Sequence, residues 1–125
     1  MPDRYSNFSG AVARYVQRQK VSAKTSGYVV VAGDSGTRFT NTGAIASVTF
    51  SLPAAAVELV YAFSITAAFT DIVDAAGSDI IRVGTEQTSA GGNYSNNQVG
   101  SVLFMVCDVA GVWAATPFSG LWTPA

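Results

Sequence analysis

The sequence predicts an all-β fold: a compact sandwich, jelly roll or barrel of about eight short strands over residues 28–125, preceded by a basic arm over residues 1–27. From Tyr28 onward, short β-branched and aromatic runs alternate with Gly, Asn, Asp and Ser turns. Several of these runs alternate polar and apolar residues with the period of two expected of a half-buried strand. The chain of 125 residues is 49% hydrophobic and only 12% charged, so it has ample core material and must build its polar surface from Ser, Thr, Asn and Gly. That length suits one domain.

Within the arm, Ser9–Lys20 can form a short helix capped by Ser9, with Val12, Tyr15, Val16 and Gln19 on one face. Such a helix is marginal alone and needs a surface to dock on. The alternative is an extended arm hydrogen-bonded to a neighbouring subunit. In the body, strands are expected at Tyr28–Ala32, Thr37–Thr40, Ala46–Leu52, Leu59–Ala67, Thr70–Asp74, Ile80–Gly84, Ser101–Asp108 and Val112–Thr116, with a last short strand at Trp122. Val48, Phe50 and Leu52 share one face, as do Tyr61, Phe63 and Ile65. The run Val102–Cys107 is apolar on both faces, as in a strand covered on both sides or lying at a subunit interface. Gly33–Gly36 and Asp108–Gly111 read as hairpin loops and Ala75–Ser78 as a link between strands. Residues 90–98 read as the longest loop, ordered by a partner if at all.

The residue types exclude much chemistry. With no histidine, imidazole acid/base catalysis and His-ligated metals are ruled out. Cys107 lies in an apolar run and reads as a core residue, and one cysteine makes no internal disulfide. Gly33-Asp34-Ser35-Gly36 matches the string around a serine protease nucleophile, but no base exists to take the serine proton. Asp71, Asp74 and Asp79 flank a turn and could offer oxygens to Ca²⁺, yet the ligand spacing of a calcium loop is missing. They read instead as edge and turn carboxylates that keep strands soluble. No catalytic residue, cofactor or metal is therefore expected. No apolar run reaches the ~20 residues of a membrane span, and the N-terminus lacks the apolar core of a secretory signal.

Charge is segregated. Residues 1–27 carry Arg4, Arg14, Arg18, Lys20 and Lys24 against Asp3, while residues 28–125 carry two arginines against seven carboxylates. A basic arm on an acidic body suggests that the arm reaches for an acidic partner. Tyr5, Phe8, Tyr15 and Val16 would add apolar contacts to those cations. Stacking aromatics beside cations also suit single-stranded nucleic acid, but the acidic body would repel a phosphate backbone. Val102, Phe104, Trp113, Phe118, Leu121 and Trp122 carry more apolar surface than one small sandwich easily buries, which points to an oligomer interface.

The stretch Tyr28-Val-Val-Val-Ala-Gly-Asp-Ser-Gly-Thr-Arg-Phe-Thr-Asn-Thr-Gly-Ala44, followed by Val48-Thr-Phe-Ser-Leu-Pro-Ala54, resembles a small β-domain of bacteriophage virion proteins. Tyr61-Ala-Phe63, Asp79-Ile-Ile-Arg-Val-Gly84, Gly100-Ser-Val-Leu103, Trp113 and Gly120-Leu-Trp122 are similar too. Such domains occur in tail fibre and appendage chains and in capsid-decorating proteins. The resemblance covers roughly residues 28–122, rests mainly on turn and core positions, and leaves the arm unmatched. A domain with an arm and little else looks more like a capsid cement protein than a fibre. The resemblance then implies a homotrimer on the outer capsid surface, its arm gripping the major capsid protein. The fibre alternative implies a module that binds host glycan through Asn93, Tyr94, Asn96 and Asn97.

Overall fold

The computed structural model describes residues 19–125. Its strands are β1 Lys20–Ala23, β2 Tyr28–Val29, β3 Thr37–Thr40, β4 Val48–Ser51, β5 Val60–Ser64, β6 Asp71–Asp74, β7 Ile80–Val83, β8 Glu86–Gln87, β9 Asn93–Asn96, β10 Val102–Val109, β11 Val112–Ser119 and β12 Thr123–Pro124. They form a seven-stranded sheet in the order β1-β3-β5-β10-β11-β7-β8 and a five-stranded sheet in the order β12-β9-β6-β4-β2. The all-β expectation holds, in its sandwich form.

The alternating runs explain the layering. Val48, Phe50 and Leu52 from one sheet and Tyr61, Phe63 and Ile65 from the other are all buried. Phe50 meets Phe39 and Phe63 across the interior at ring-centroid distances of 5.5 and 5.1 Å. Each such side chain contributes ~1.5–3 kcal/mol by leaving water. On β10 the two apolar faces separate: Leu103, Met105 and Cys107 point inward, while Val102, Phe104 and Val106 are half-buried on the outside.

From β3 to β7 the chain changes sheet at every connection, so β3 and β5 pair in parallel through β4, and β4 and β6 through β5. The connections therefore gather at two ends of the sandwich. At one end Asn41, fully buried, locks two of them together. Its Oδ1 accepts from the Thr66 and Ala67 amides at 2.8 Å each, and its Nδ2 donates to the Ala67 carbonyl at 3.0 Å.

Three expectations need correction. Lys20–Ala23, assigned to the arm, form an edge strand paired in parallel with β3. Their β-compatible Val21 and Ser22 are hidden by flanking lysines that made the segment read as solvated. The residues 90–98, expected as one long loop, contain β9, which is paired on both sides by β6 and β12. Gly33–Gly36 is no hairpin loop, because β2 and β3 lie in different sheets. It carries a 3-10 turn, Ala32–Asp34, and crosses between the layers. Asp108–Gly111 does close a hairpin, with Val109 opposite Val112.

Candidate functional sites at the two ends of the sandwich

The strand directions put Lys20, the start of β3 and the β10–β11 hairpin at one end, here the arm end. Its connections carry Asp34, Glu58 and Asp79, with Asp108 near the end of β10 and Asp74 closing β6 beside them. These segments are tied to one another: the Glu58 amide donates to the Cys107 carbonyl, the Gly111 amide to the Ala55 carbonyl, and the Ala55 amide to Asp79 Oδ2 at 2.8 Å. Asp34 accepts from the Tyr28 hydroxyl at 2.8 Å, which raises the tyrosine's pKa through that bond. Burial, with Asp34 nearby, pushes Tyr61 up to about 12, and its hydroxyl donates to the Val31 carbonyl.

The far end is built differently. Its connections are residues 24–27, 41–47, 65–70, 97–101 and 120–122, and among them only Lys24 is ionisable. They expose Ile45, Phe69, Val99 and Leu121, with Phe118 close by at the end of β11. A cleft of about 210 Å³ opens here, lined by Thr70, Ser95, Asn96, Asn97, Leu121 and Thr123. Next to Thr70, on the face of β6 turned between the sheets, is Asp71, which is fully buried with neither carboxyl oxygen hydrogen-bonded. Burial pushes its pKa up to about 7. Sequence reasoning placed Asp71 on a soluble edge. The register instead puts it on the inner face of a central strand, and Asp74, three residues on, points outward as its spacing requires.

The expected interface residues divide in the same way. Val102 and Phe104 are half-buried on the outer face of the β10–β11 hairpin. Phe118, 69% exposed, sits with its ring 5.9 Å from that of Phe104, and Leu121 is 81% exposed. Trp113 and Trp122 do not belong with them: both are buried core residues, because the space between the two sheets is large enough to take both indoles. Tyr94, expected as a sugar-stacking aromatic, is also fully buried, and its hydroxyl donates to Glu86. Among the arm residues, Lys20 is exposed on β1, and Lys24 lies 3.9 Å from the centre of the Tyr28 ring. Arg4, Tyr5, Phe8, Arg14, Tyr15, Val16 and Arg18 fall outside the described residues.

The side chains that suggested catalysis have structural partners. Ser35 Oγ accepts the Val60 amide at 3.0 Å. Cys107 is buried, its Sγ donates to the Val109 carbonyl, and burial raises its pKa, which disfavours the thiolate a nucleophile needs. Among the described residues no three Cys, Asp or Glu side chains converge on a common metal position, and no helix is long and apolar enough to cross a membrane. The residues that sequence reasoning missed are Asp71 as a buried group and Thr70, Ser95 and Thr123 around it. No local signal marks them, because only the pairing of β6, β9 and β12 brings them together. No protein-family model and no curated protein sequence matches this chain.

Proposed function

We propose that the chain is a structural protein of a bacteriophage particle, a cement protein that decorates the outer capsid as a homotrimer and has no catalytic activity. The observation that carries this reading is the polarity of the domain. Residues 1–18, with Arg4, Arg14 and Arg18 against Asp3, join the sandwich at Lys20, at the arm end. The connections at the opposite end carry a single ionisable residue, Lys24. A domain held by one end and presenting the other suits a decoration protein.

In this reading Arg4, Arg14, Arg18 and Lys20 pair with acidic patches of the major capsid protein, and Tyr5, Phe8, Tyr15 and Val16 enter apolar grooves. Exposed ion pairs give only ~0.2–1 kcal/mol each, so binding by one arm is modest and salt-sensitive. Three arms held in one trimer bind with avidity. Val102, Phe104, Phe118 and Leu121 supply the trimer contact. Cosedimentation with phage heads tests the attachment: the full chain should pellet with heads, and a chain of residues 19–125 should stay in solution. Equal pelleting by both would remove the arm from the account.

A further inference from the structure

We propose that residues 120–125 form a pH-sensitive strap, which closes over a buried polar row when Asp71 is protonated and loosens when Asp71 ionises. The row is set by register. Val48 on β4 stands opposite Asp71 on β6, and Asp71 stands opposite Asn96 on β9. The antiparallel β9–β12 ladder pairs Ser95 with Thr123, so Trp122 falls across from Asn96. All four side chains are buried between the sheets. Both carboxyl oxygens of Asp71, Asn96 Nδ2 and Trp122 Nε1 lack hydrogen-bond partners. Buried polar groups are nearly always paired, so the closed row is a costly arrangement, and a charge placed in it costs far more.

No cation offsets that cost. Asp71 is the only Asp, Glu, Lys or Arg buried among the described residues. Its neighbours in the sheet are Val48 and Asn96, and the far ends of the opposite sheet's strands contribute Ile65, Ser101 and Leu103 to the interior. Asp74, on the same strand, points outward. Lys24, the one ionisable residue of the far-end connections, lies over the ring of Tyr28 on β2, two strands away from β6.

The segment beside the row is held by few bonds. Strand β12 is two residues long, lies at the edge of its sheet and pairs only with β9 among the described residues. Next to it the Ala125 amide donates to the Asn93 carbonyl at 2.8 Å, and the Asn93 amide to the Ala125 carbonyl at 3.1 Å. Gly120 has a φ of +82°, and a Cβ there would overlap Ser101 Oγ and Asn96 Nδ2, so only glycine lets the backbone lie this close to Asn96. Short edge elements open locally at lower cost than the whole fold. Release of this one brings water to Asn96 and Asp71, and an ionised Asp71 gains that solvation in the open state alone. Burial holds the Asp71 pKa at about 7 in the closed state, against 3.8 in water. Between those values the closed state keeps a proton that opening releases, so opening becomes easier as pH rises and levels off above about pH 7. The device does not rest on the capsid reading.

The test is native-state hydrogen exchange of the full chain, read by NMR at the Trp122 indole and the Ala125 amide, with the Met105 amide on the central strand β10 as the reference for global unfolding. The protein has two tryptophans, and Trp122→Phe identifies which indole signal is which. After correction for the intrinsic pH dependence of exchange, the opening constant at Trp122 and Ala125 should rise about a hundredfold between about pH 5 and about pH 8. In Asp71→Asn it should stay constant. Dilute urea should accelerate exchange at Met105 and leave Trp122 and Ala125 nearly unmoved, because a local opening exposes little surface. Should Asp71→Asn fold poorly, Gly120→Ala gives a second arm: it should raise the strap's opening constant about tenfold or more at both ends of the pH range. The proposal is overturned by an opening constant that ignores pH, or by a pH dependence that survives in a folded Asp71→Asn chain. Exchange at Trp122 and Ala125 that follows Met105 in urea, or a Gly120→Ala strap that opens no more readily, overturns it as well.

Discussion

Asp71 and Asn96 stand directly opposite one another on β6 and β9, both buried between the sheets, and the carboxyl oxygens of one and the amide nitrogen of the other have no hydrogen-bond partner. A carboxyl group in that setting is more stable protonated, and burial lifts its pKa from 3.8 to about 7. Between those values the folded chain keeps a proton that the unfolded chain has lost, so stability falls as pH rises through this window. Above about pH 7 both states are ionised and the penalty is complete. The shift from 3.8 to about 7, at 1.36 kcal/mol per unit, amounts to about 4 kcal/mol. Asp71→Asn removes the titration. Relative to the parent chain, it should gain stability steadily between about pH 4 and about pH 8 in urea melts. A constant difference between the two proteins would show that Asp71 titrates normally.

Asn41 is the polar residue on which the far end depends. Asn41→Ala strands the Thr66 and Ala67 amides, which its side chain now accepts. Leaving one such group unpaired in the interior costs ~1–3 kcal/mol, so a loss of at least about 2 kcal/mol is expected for the pair. Asn41→Asp keeps the acceptor and should lose less. Urea denaturation of the two variants checks the order.

The position of β1 sets where the chain can be cut. A chain of residues 19–125 keeps β1 on β3 and Lys24 over Tyr28, and should unfold with the full chain's midpoint. A chain of residues 28–125 loses both and leaves the β3 edge uncovered, a recognised route to edge pairing and aggregation. It should unfold at lower temperature and aggregate. Equal melting of the two truncations would mean that β1 adds nothing to the sheet.

Phe118 and Leu121 are exposed, so replacing both with Ser should change stability by no more than ~0.5 kcal/mol. If the outer face of the β10–β11 hairpin holds subunits together, the same double variant should shift light scattering from trimer toward monomer. A full chain that is monomeric at micromolar concentration contradicts the trimer outright.

The strands that were legible in the sequence share a trait: Val48-Thr-Phe-Ser-Leu52 and Tyr61-Ala-Phe-Ser-Ile65 repeat an apolar residue at every second position, so periodicity alone reports both strand and face. The strand β9 hides because Asn93-Tyr-Ser-Asn96 is made of turn-forming residues around one aromatic, and its neighbours β6 and β12 order it. Strand β1 hides because Lys20 and the following Lys24 dominate a short segment. Asp71 reads as a turn carboxylate since nothing in its immediate neighbours reveals a central strand. Trp113 and Trp122 read as surplus surface, as no local pattern tells how much room two sheets enclose. The candidate cleft was illegible for the same reason: its lining comes from the ends of two strands, β9 and β12, and from the connections beside them, joined only by pairing.

Cryo-electron microscopy of decorated phage heads tests the central claim most directly. The account predicts trimeric density on the shell with the arm end, marked by Lys20 and the β10–β11 hairpin turn, facing the capsid and the cleft facing outward. Density with the cleft pressed against the shell and the arm end free, or heads that bind no protein at all, would contradict it.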